Sequence, residues 1–436
     1  MLPEGVVLET LKEIILDFQE EKLNTGIKRH LEYEFIKGKA FVCIGVRRCG
    51  KSTLLYQIIA ALKAKSVKQE NILYLNLFDD RLNEIRRRNL PLVLEAYYSL
   101  YPEKKGTEEV FCFFDEIQEV ENWEPFVDRI LRTENCCVFL SGSSSKMLST
   151  EIATQMRGRS LTWELFPFSF KEFLDFRKID YTRLTSKNRL LIKKVFDEYF
   201  IKGGFPEVRN VNDKIRIMIL QEYYKTILHR DIINRFEAIH PQAVIQAGHR
   251  LIGSISSLYS INRITDYLKS LGYKVSKNFV SSCINWFEDA YFLFSVPIFS
   301  PSVSKQNANA KKIYCIDHSM AGSVSPKIMT DNGHKLENMI FLHLRRHSDE
   351  IYYYRTAKRH EVDFVCIDKE YNKNLVQVSL AMKDPKTRSR EITSLLCAME
   401  ELGLGTGKII TLDEEKILKE GNKTVEIIPA WKYLLG

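Results

Sequence analysis

"GVRRCGKSTLL" runs from Gly45 to Leu55 and completes the apolar stretch FVCIG. Two glycines bracket four residues, Lys51 and Ser52 follow directly, and the residues beyond fit a helix. The spacing satisfies G-x-x-x-x-G-K-[ST] in full, with a strand before it and a helix after it. It predicts a phosphate cradle. Glycines let successive backbone N–H groups converge on phosphate oxygens, and the N-terminus of the next helix favours the same negative charge. Gly45, Arg47, Arg48, Cys49, Gly50, Lys51, Ser52 and Thr53 are the candidate nucleotide contacts. Lys51 suits the β- and γ-phosphates and the Ser52 hydroxyl suits Mg²⁺, so ATP with Mg²⁺ is the expected ligand pair.

Such a site needs an acid at the end of a neighbouring strand. VFCFFDE, 110–116, supplies two. Asp115 is expected to hold a metal-bound water, and Glu116 to act as general base toward the attacking water. An acid pair that merely caps the next helix is the bland alternative. The strand CCVFLSG then runs into SSSKML, where a polar side chain can reach the γ-phosphate. Ser143 and Ser144 both fit that place, and so does a plain serine-rich turn.

Strand signals recur at 39–45, 71–77, 110–116 and 136–142, separated by segments of helical length. Continuous apolar strands alternating with helices indicate a parallel sheet covered on both faces. Residues 1–37 look helical and amphipathic, as does the segment from Leu82 to Tyr101 before Pro102. Beyond about Ser160 the chain becomes rich in aromatics and helical patterns, with a turn at GGFPEV, 203–208. Residues 260–299 read as two short helices followed by an apolar hairpin, which suggests a helix-turn-helix with a wing. The polar 300–312 stretch reads as a loop; strands then return in KIYCID, EIYYYRT, EVDFVCID and NLVQVSL, with a helix over 336–347.

A chain of 436 residues is long enough for two to three domains. Its 45% hydrophobic and 28% charged residues give a globular balance. The net charge of +8 is mildly basic, which suits either nucleic-acid contact or a scattered excess of solvated lysine. Nine cysteines include no C-x-x-C pair, so a zinc knuckle is not expected. Their odd number and apolar settings read as reduced thiols of a cytoplasmic protein. No secretory signal or membrane span is expected, since no apolar run approaches the length a spanning helix needs.

GVRRCGKSTLL, DEIQEVENWE, LSGSSSKML, RGRSLTWELFPFSFKEFL and GGFPEV follow one another along the chain. Taken together they resemble the prokaryotic AAA-type ATPases that carry a C-terminal domain of unknown function (AAA_14 with DUF4143). The resemblance implies an α/β fold. It comprises a P-loop αβα core at 38–165 after an N-terminal helical segment at 1–37, then a helical lid at 166–235. A winged-helix domain at 236–312 and a restriction-nuclease-like α/β domain at 313–436 complete it. It also places a motif arginine at Arg157 or Arg159, a guanidinium that steadies charge on the γ-phosphate, sometimes from a neighbouring subunit.

Restriction-type nucleases hold Mg²⁺ with an Asp and then a Glu-x-Lys on the next strand, often with a helical Glu upstream. Glu337, Asp363 and Gln377 stand in that order here, with Ser379 where the lysine belongs. A degenerate, non-cleaving site is expected. Lys269, Lys274 and Lys277 in the winged-helix segment suit phosphate contacts. ATP, DNA, a protein partner or a second copy of the chain are the candidate partners, and a membrane is not among them.

Overall fold

The computed structural model describes residues 3–86, 90–143, 154–348, 350–368, 370–380 and 382–436. The chain divides into two compact units, Met1–Leu165 and Phe166–Gly436.

The first unit is built on five strands: β1 (Ala40–Ile44), β2 (Ile72–Asn76), β3 (Val110–Asp115), β4 (Cys136–Gly142) and β5 (Ser160–Glu164). Their order is β2-β3-β4-β1-β5, and every pairing is parallel. All five residues of β1 are buried, as befits a central strand with helices on both faces. The four expected strands are present. β3 is not the neighbour of β1 that the sequence suggested, because β4 lies between them. The edge strand β5 escaped the sequence reading: its residues are all half-buried and alternate polar with apolar, so no continuous apolar run marks it.

The N-terminal helix ends at Glu20, and residues 21–36 are not helical as expected. Gly26 has φ +54°, and the Gln57 amide ties the segment down by donating to the carbonyls of Thr25 (2.6 Å) and Ile27 (2.7 Å). Between Leu82 and Tyr101 the structure holds a short helix, Asn83–Arg86, and a separate one, Pro91–Leu100. Pro91 starts the second because its ring fits only a first turn.

The second unit begins with helices Phe170–Phe176, Ser186–Lys202 and Asp213–Thr226, the last continuing as a π-helix over Ile227–Asn234. The GGFPEV turn is a structural joint. A Cβ on Gly203 would lie 2.4 Å from Asp317 Oδ1, and one on Gly204 would lie 2.5 Å from the Phe168 carbonyl. Asp317 accepts from the Gly204 amide (2.7 Å) while its other oxygen caps Ser319 and Met320.

Helices Pro241–Ile252, Ile261–Ser270 and Lys277–Asp289 accompany a small antiparallel sheet of β6 (Ser257–Tyr259), β7 (Leu293–Val296) and β8 (Lys311–Cys315), in the order β6-β8-β7. The expected boundary between residues 312 and 313 therefore cuts through β8. Pairing with β6 and β7 assigns that strand to the small sheet. A mixed six-stranded sheet follows: β9 (Glu350–Arg355), β10 (Glu361–Ile367), β11 (Lys373–Val378), β12 (Thr406–Thr411), β13 (Lys416–Glu420) and β14 (Lys423–Pro429). Its order is β13-β14-β12-β11-β10-β9. Helix Pro385–Leu402 covers one face through Leu395, Ala398 and Met399 against Val362, Leu375 and Ile409. A register shift between Val362 and Val365 turns Asp363 and Phe364 toward β8, where Phe364 packs on Tyr314.

Candidate functional site

The loop after β1 turns tightly because glycine is required at both ends. A Cβ at Gly45 would sit 2.1 Å from the Leu165 carbonyl oxygen. Gly50, at φ +102°, adopts a left-handed conformation as the N-cap of helix Lys51–Ala64. Lys51 begins that helix and is 4% exposed. Its ammonium donates to the carbonyls of Gly45 (3.1 Å) and Val46 (3.2 Å) and lies 3.8 Å from Glu116. Burial opposes its charge, yet Glu116 and its other neighbours hold its pKa above the usual lysine value.

Asp115 ends β3 fully buried. Its Oδ2 accepts from Tyr74 OH on β2 (2.9 Å) and its Oδ1 from the Ser141 hydroxyl on β4, and the Ser52 hydroxyl lies near enough to favour its charged form. Burial and the adjacent Glu116 push its pKa up, while those three hydroxyls oppose the rise. The serine of the loop and the acid two strands away thus meet across β4. These oxygen donors suit a hard divalent cation such as Mg²⁺.

Glu116 sits in a left-handed turn at φ 55°. Its amide donates to Ser141 Oγ (3.1 Å), and its carboxylate accepts from the Gln118 amide (2.5 Å). Gln118 Nε2 also reaches Ser143 Oγ at 3.4 Å, and Gln118 Oε1 is buried without a partner. Ser143 is therefore beside the acid pair, whereas Ser144 lies outside the described residues.

The remaining loop residues divide. Cys49 is buried, and its carbonyl accepts from the buried Arg29 (2.7 Å). The Arg47 guanidinium lies 5.9 Å from the Phe78 ring, Arg48 is exposed at φ 68°, and Thr53 packs beside Gly26. Arg157 and Arg159 go elsewhere. Both approach Asp128, at 4.0 and 3.5 Å, and the Arg159 carbonyl pairs with Ala40 at the start of β1. The phosphate loop leaves the other end of that strand, so within one chain these arginines do not reach it.

Four residues of the site went unnoticed in the sequence: Ser141, Tyr74, Gln118 and Arg29. DEIQ, 115–118, carried the signal for Gln118, since a glutamine two positions past the strand-end Glu116 sits within its reach.

A second acidic cluster lies in the other unit. Glu337, on helix Asn332–Arg345, and Asp363, on β10, come together around Lys312 of β8. Gln377 on β11 accepts from the Asp363 amide (3.1 Å) and donates to Glu391 (2.7 Å). Ser379 is buried, its amide bonded to the Ile410 carbonyl. Residues with a buried ammonium at their centre do not fit a Mg²⁺ site. Among the described residues, no group of three or more His, Cys, Asp or Glu side chains is arranged to hold a metal ion, and no helix is long and apolar enough to cross a membrane.

Residues 37–174 match the AAA domain family, 193–330 a domain of unknown function (DUF8612), and 332–433 another (DUF4143). The uncharacterized protein MJ1544 of Methanocaldococcus jannaschii is 35% identical over 447 residues, spanning 100% of this chain and 96% of the relative. An uncharacterized protein of Haemophilus influenzae is 27% identical over 368 residues, 83% of this chain and 86% of the relative. Among solved structures, the Walker-type ATPase PABY2304 of Pyrococcus abyssi aligns at 13% identity and a TM-score of 0.42, over 74% of this chain and 96% of that one. The ORC1 protein of Aeropyrum pernix in complex with DNA aligns at 13% identity and a TM-score of 0.32, over 76% and 93%.

Proposed function

The chain belongs to the family that joins an AAA domain to a C-terminal DUF4143 domain, and on that premise we propose that it binds ATP with Mg²⁺ and hydrolyses it. The observation that carries this reading is the convergence of the phosphate loop on the acid strand, where the buried Lys51 ammonium lies 3.8 Å from Glu116, next to the buried Asp115. Ser52 and Asp115 would hold the metal, which when bound neutralises charge on the phosphate oxygens. Amides of residues 45–51 bind the β-phosphate, and the Lys51 ammonium leaves its two loop carbonyls for the β- and γ-phosphate oxygens. Glu116 takes a proton from water as the water oxygen bonds to the γ-phosphorus. The bond to the β–γ bridging oxygen breaks, leaving ADP and phosphate. Ser143 and Gln118 orient the water beside Glu116. In this reading Arg157 and Arg159 serve a neighbouring subunit's site or pair only with Asp128.

Residues 38–165 form the ATPase core, and 236–315 form a winged-helix module that includes β8. Hydrolysis switches the conformation of the C-terminal modules. Lys269, Lys274 and Lys277 are exposed at the turn between the module's helices, which supports duplex DNA as a partner.

Steady-state turnover tests the reading. Glu116→Gln is expected to lower kcat by about 10²–10⁴-fold while keeping ATP affinity; unchanged turnover would refute the assigned base. The same assay with duplex DNA reads the partner. Stimulation by DNA that disappears in Lys274→Glu/Lys277→Glu supports it, and indifference to DNA removes it.

A further inference from the structure

The Lys312 ammonium has three N–H donors and meets three carboxylates: Asp363 at 2.7 Å, Glu337 at 3.1 Å and Glu361 at 3.2 Å. We infer that this ammonium is the resident cation of the cluster, standing where a nuclease of this layout would place its divalent metal, so that the module is closed to metal ions.

Three features support the assignment. The side chain is 3% exposed, and it issues from β8 rather than from β11, where a Glu-x-Lys lysine belongs. It therefore enters from another sheet and fills the space between the acids instead of lying beside it. Its donors also point at the acids. Two hydrogen bonds go to Asp363 and Glu337 and the Glu361 carboxylate stands 3.2 Å away, so the ammonium is committed to the cluster and not placed to orient a water.

The acids are closed in the same way. Glu337 Oε1 accepts from Tyr314 OH (2.7 Å) as well as from Lys312, and Asp363 Oδ2 accepts from the Val378 amide (2.9 Å). Glu361 Oε2 pairs with Arg355 at 3.1 Å. Gln377, which replaces the second metal-binding acid, holds the Asp363 backbone and Glu391. A divalent ion would need several of these oxygens free and converging at about 2.1 Å. A buried ammonium supplies positive charge to the same oxygens permanently, with longer contacts. It also joins three elements: β8 of the small sheet, helix Asn332–Arg345 and β10 of the large sheet. The assignment is independent of whether the other unit hydrolyses ATP.

Removing the ammonium should turn the cluster into a metal site. Mn²⁺ is titrated calorimetrically into the nucleotide-free full-length chain, comparing wild type, Asp363→Asn, Lys312→Met and Lys312→Met/Asp363→Asn. Wild type and Asp363→Asn are expected to match, showing no site that depends on Asp363. Lys312→Met is expected to gain one Mn²⁺ per chain at least tenfold tighter than any wild-type binding. The double variant is expected to lose it. Should Lys312→Met unfold, recovery of its fold by Mn²⁺ and not by KCl supports the inference. A wild-type Mn²⁺ site lost in Asp363→Asn would overturn it. So would a folded Lys312→Met chain that binds no ion, or an unfolded one that Mn²⁺ fails to rescue.

Discussion

Lys51 in the first unit and Lys312 in the second are both buried beside acids, and the two lysines are held differently. Lys51 spends two hydrogen bonds on loop carbonyls and faces a single carboxylate at 3.8 Å. Lys312 faces three carboxylates, all within 3.2 Å. Backbone carbonyls of a loop can be re-satisfied by water or released as the loop reshapes, so the Lys51 ammonium is free to change partners. Asp363 and Glu337 are buried around the Lys312 ammonium, so solvent cannot take its place between them. The same residue type thus makes an exchangeable contact in one unit and a permanent one in the other.

Replacing each lysine by methionine should separate the two most clearly. Lys312→Met leaves buried carboxylates without their counter-charge and is expected to cost about 3–5 kcal/mol of stability. Lys51→Met leaves Glu116 its Gln118 partner and is expected to cost only about 1 kcal/mol. Denaturant unfolding followed separately for each unit measures both; equal losses would erase the contrast.

A smaller effect is expected at Gln118, whose amide spans Glu116 and Ser143. Gln118→Leu should lower kcat roughly tenfold to a hundredfold with little change in KM, because a general base loses its alignment without loss of substrate contacts. A rise in KM at constant kcat would instead make Gln118 a binding residue.

The smallest effect concerns pH. Burial, and next the charge of Asp363, push the Glu337 carboxyl up to about 8. Between the ordinary carboxyl range and about pH 8 the folded chain holds this proton more tightly than the unfolded chain. Stability carried by this group is therefore full at low pH and falls as pH rises through that window. Glu337→Gln should flatten the decline in Tm between pH 5 and pH 8, and an unchanged slope would assign the decline to other groups.

The central strands of the first unit were legible because burial on both faces leaves a continuous apolar run, as in FVCIG and VFCFF. β5 was not, since an edge strand keeps alternating polar residues. The loop, Ser52 and the acid pair were readable because their chemistry fixes local spacing. Ser141, Tyr74 and Arg29 were hidden because each meets its partner only across the fold. Lys312 was overlooked for the same reason, although a lysine inside the strand KKIYC was itself a signal. β12, β13 and β14 passed unnoticed where β13 is mostly exposed and charged. Residues 21–36 were misread as helix because the tether from Gln57 cannot be seen from the segment's own composition.

The central claim is that the loop at 45–52 grips the phosphates of ATP through Lys51, with magnesium held at Ser52 and Asp115. Calorimetric titration of ATP in the presence and absence of Mg²⁺, into wild type and Lys51→Ala, tests it most directly. The account predicts Mg²⁺-dependent binding to wild type that weakens at least a hundredfold, about 2.7 kcal/mol, in Lys51→Ala. Equal affinity in the two proteins, or binding indifferent to Mg²⁺, would contradict it.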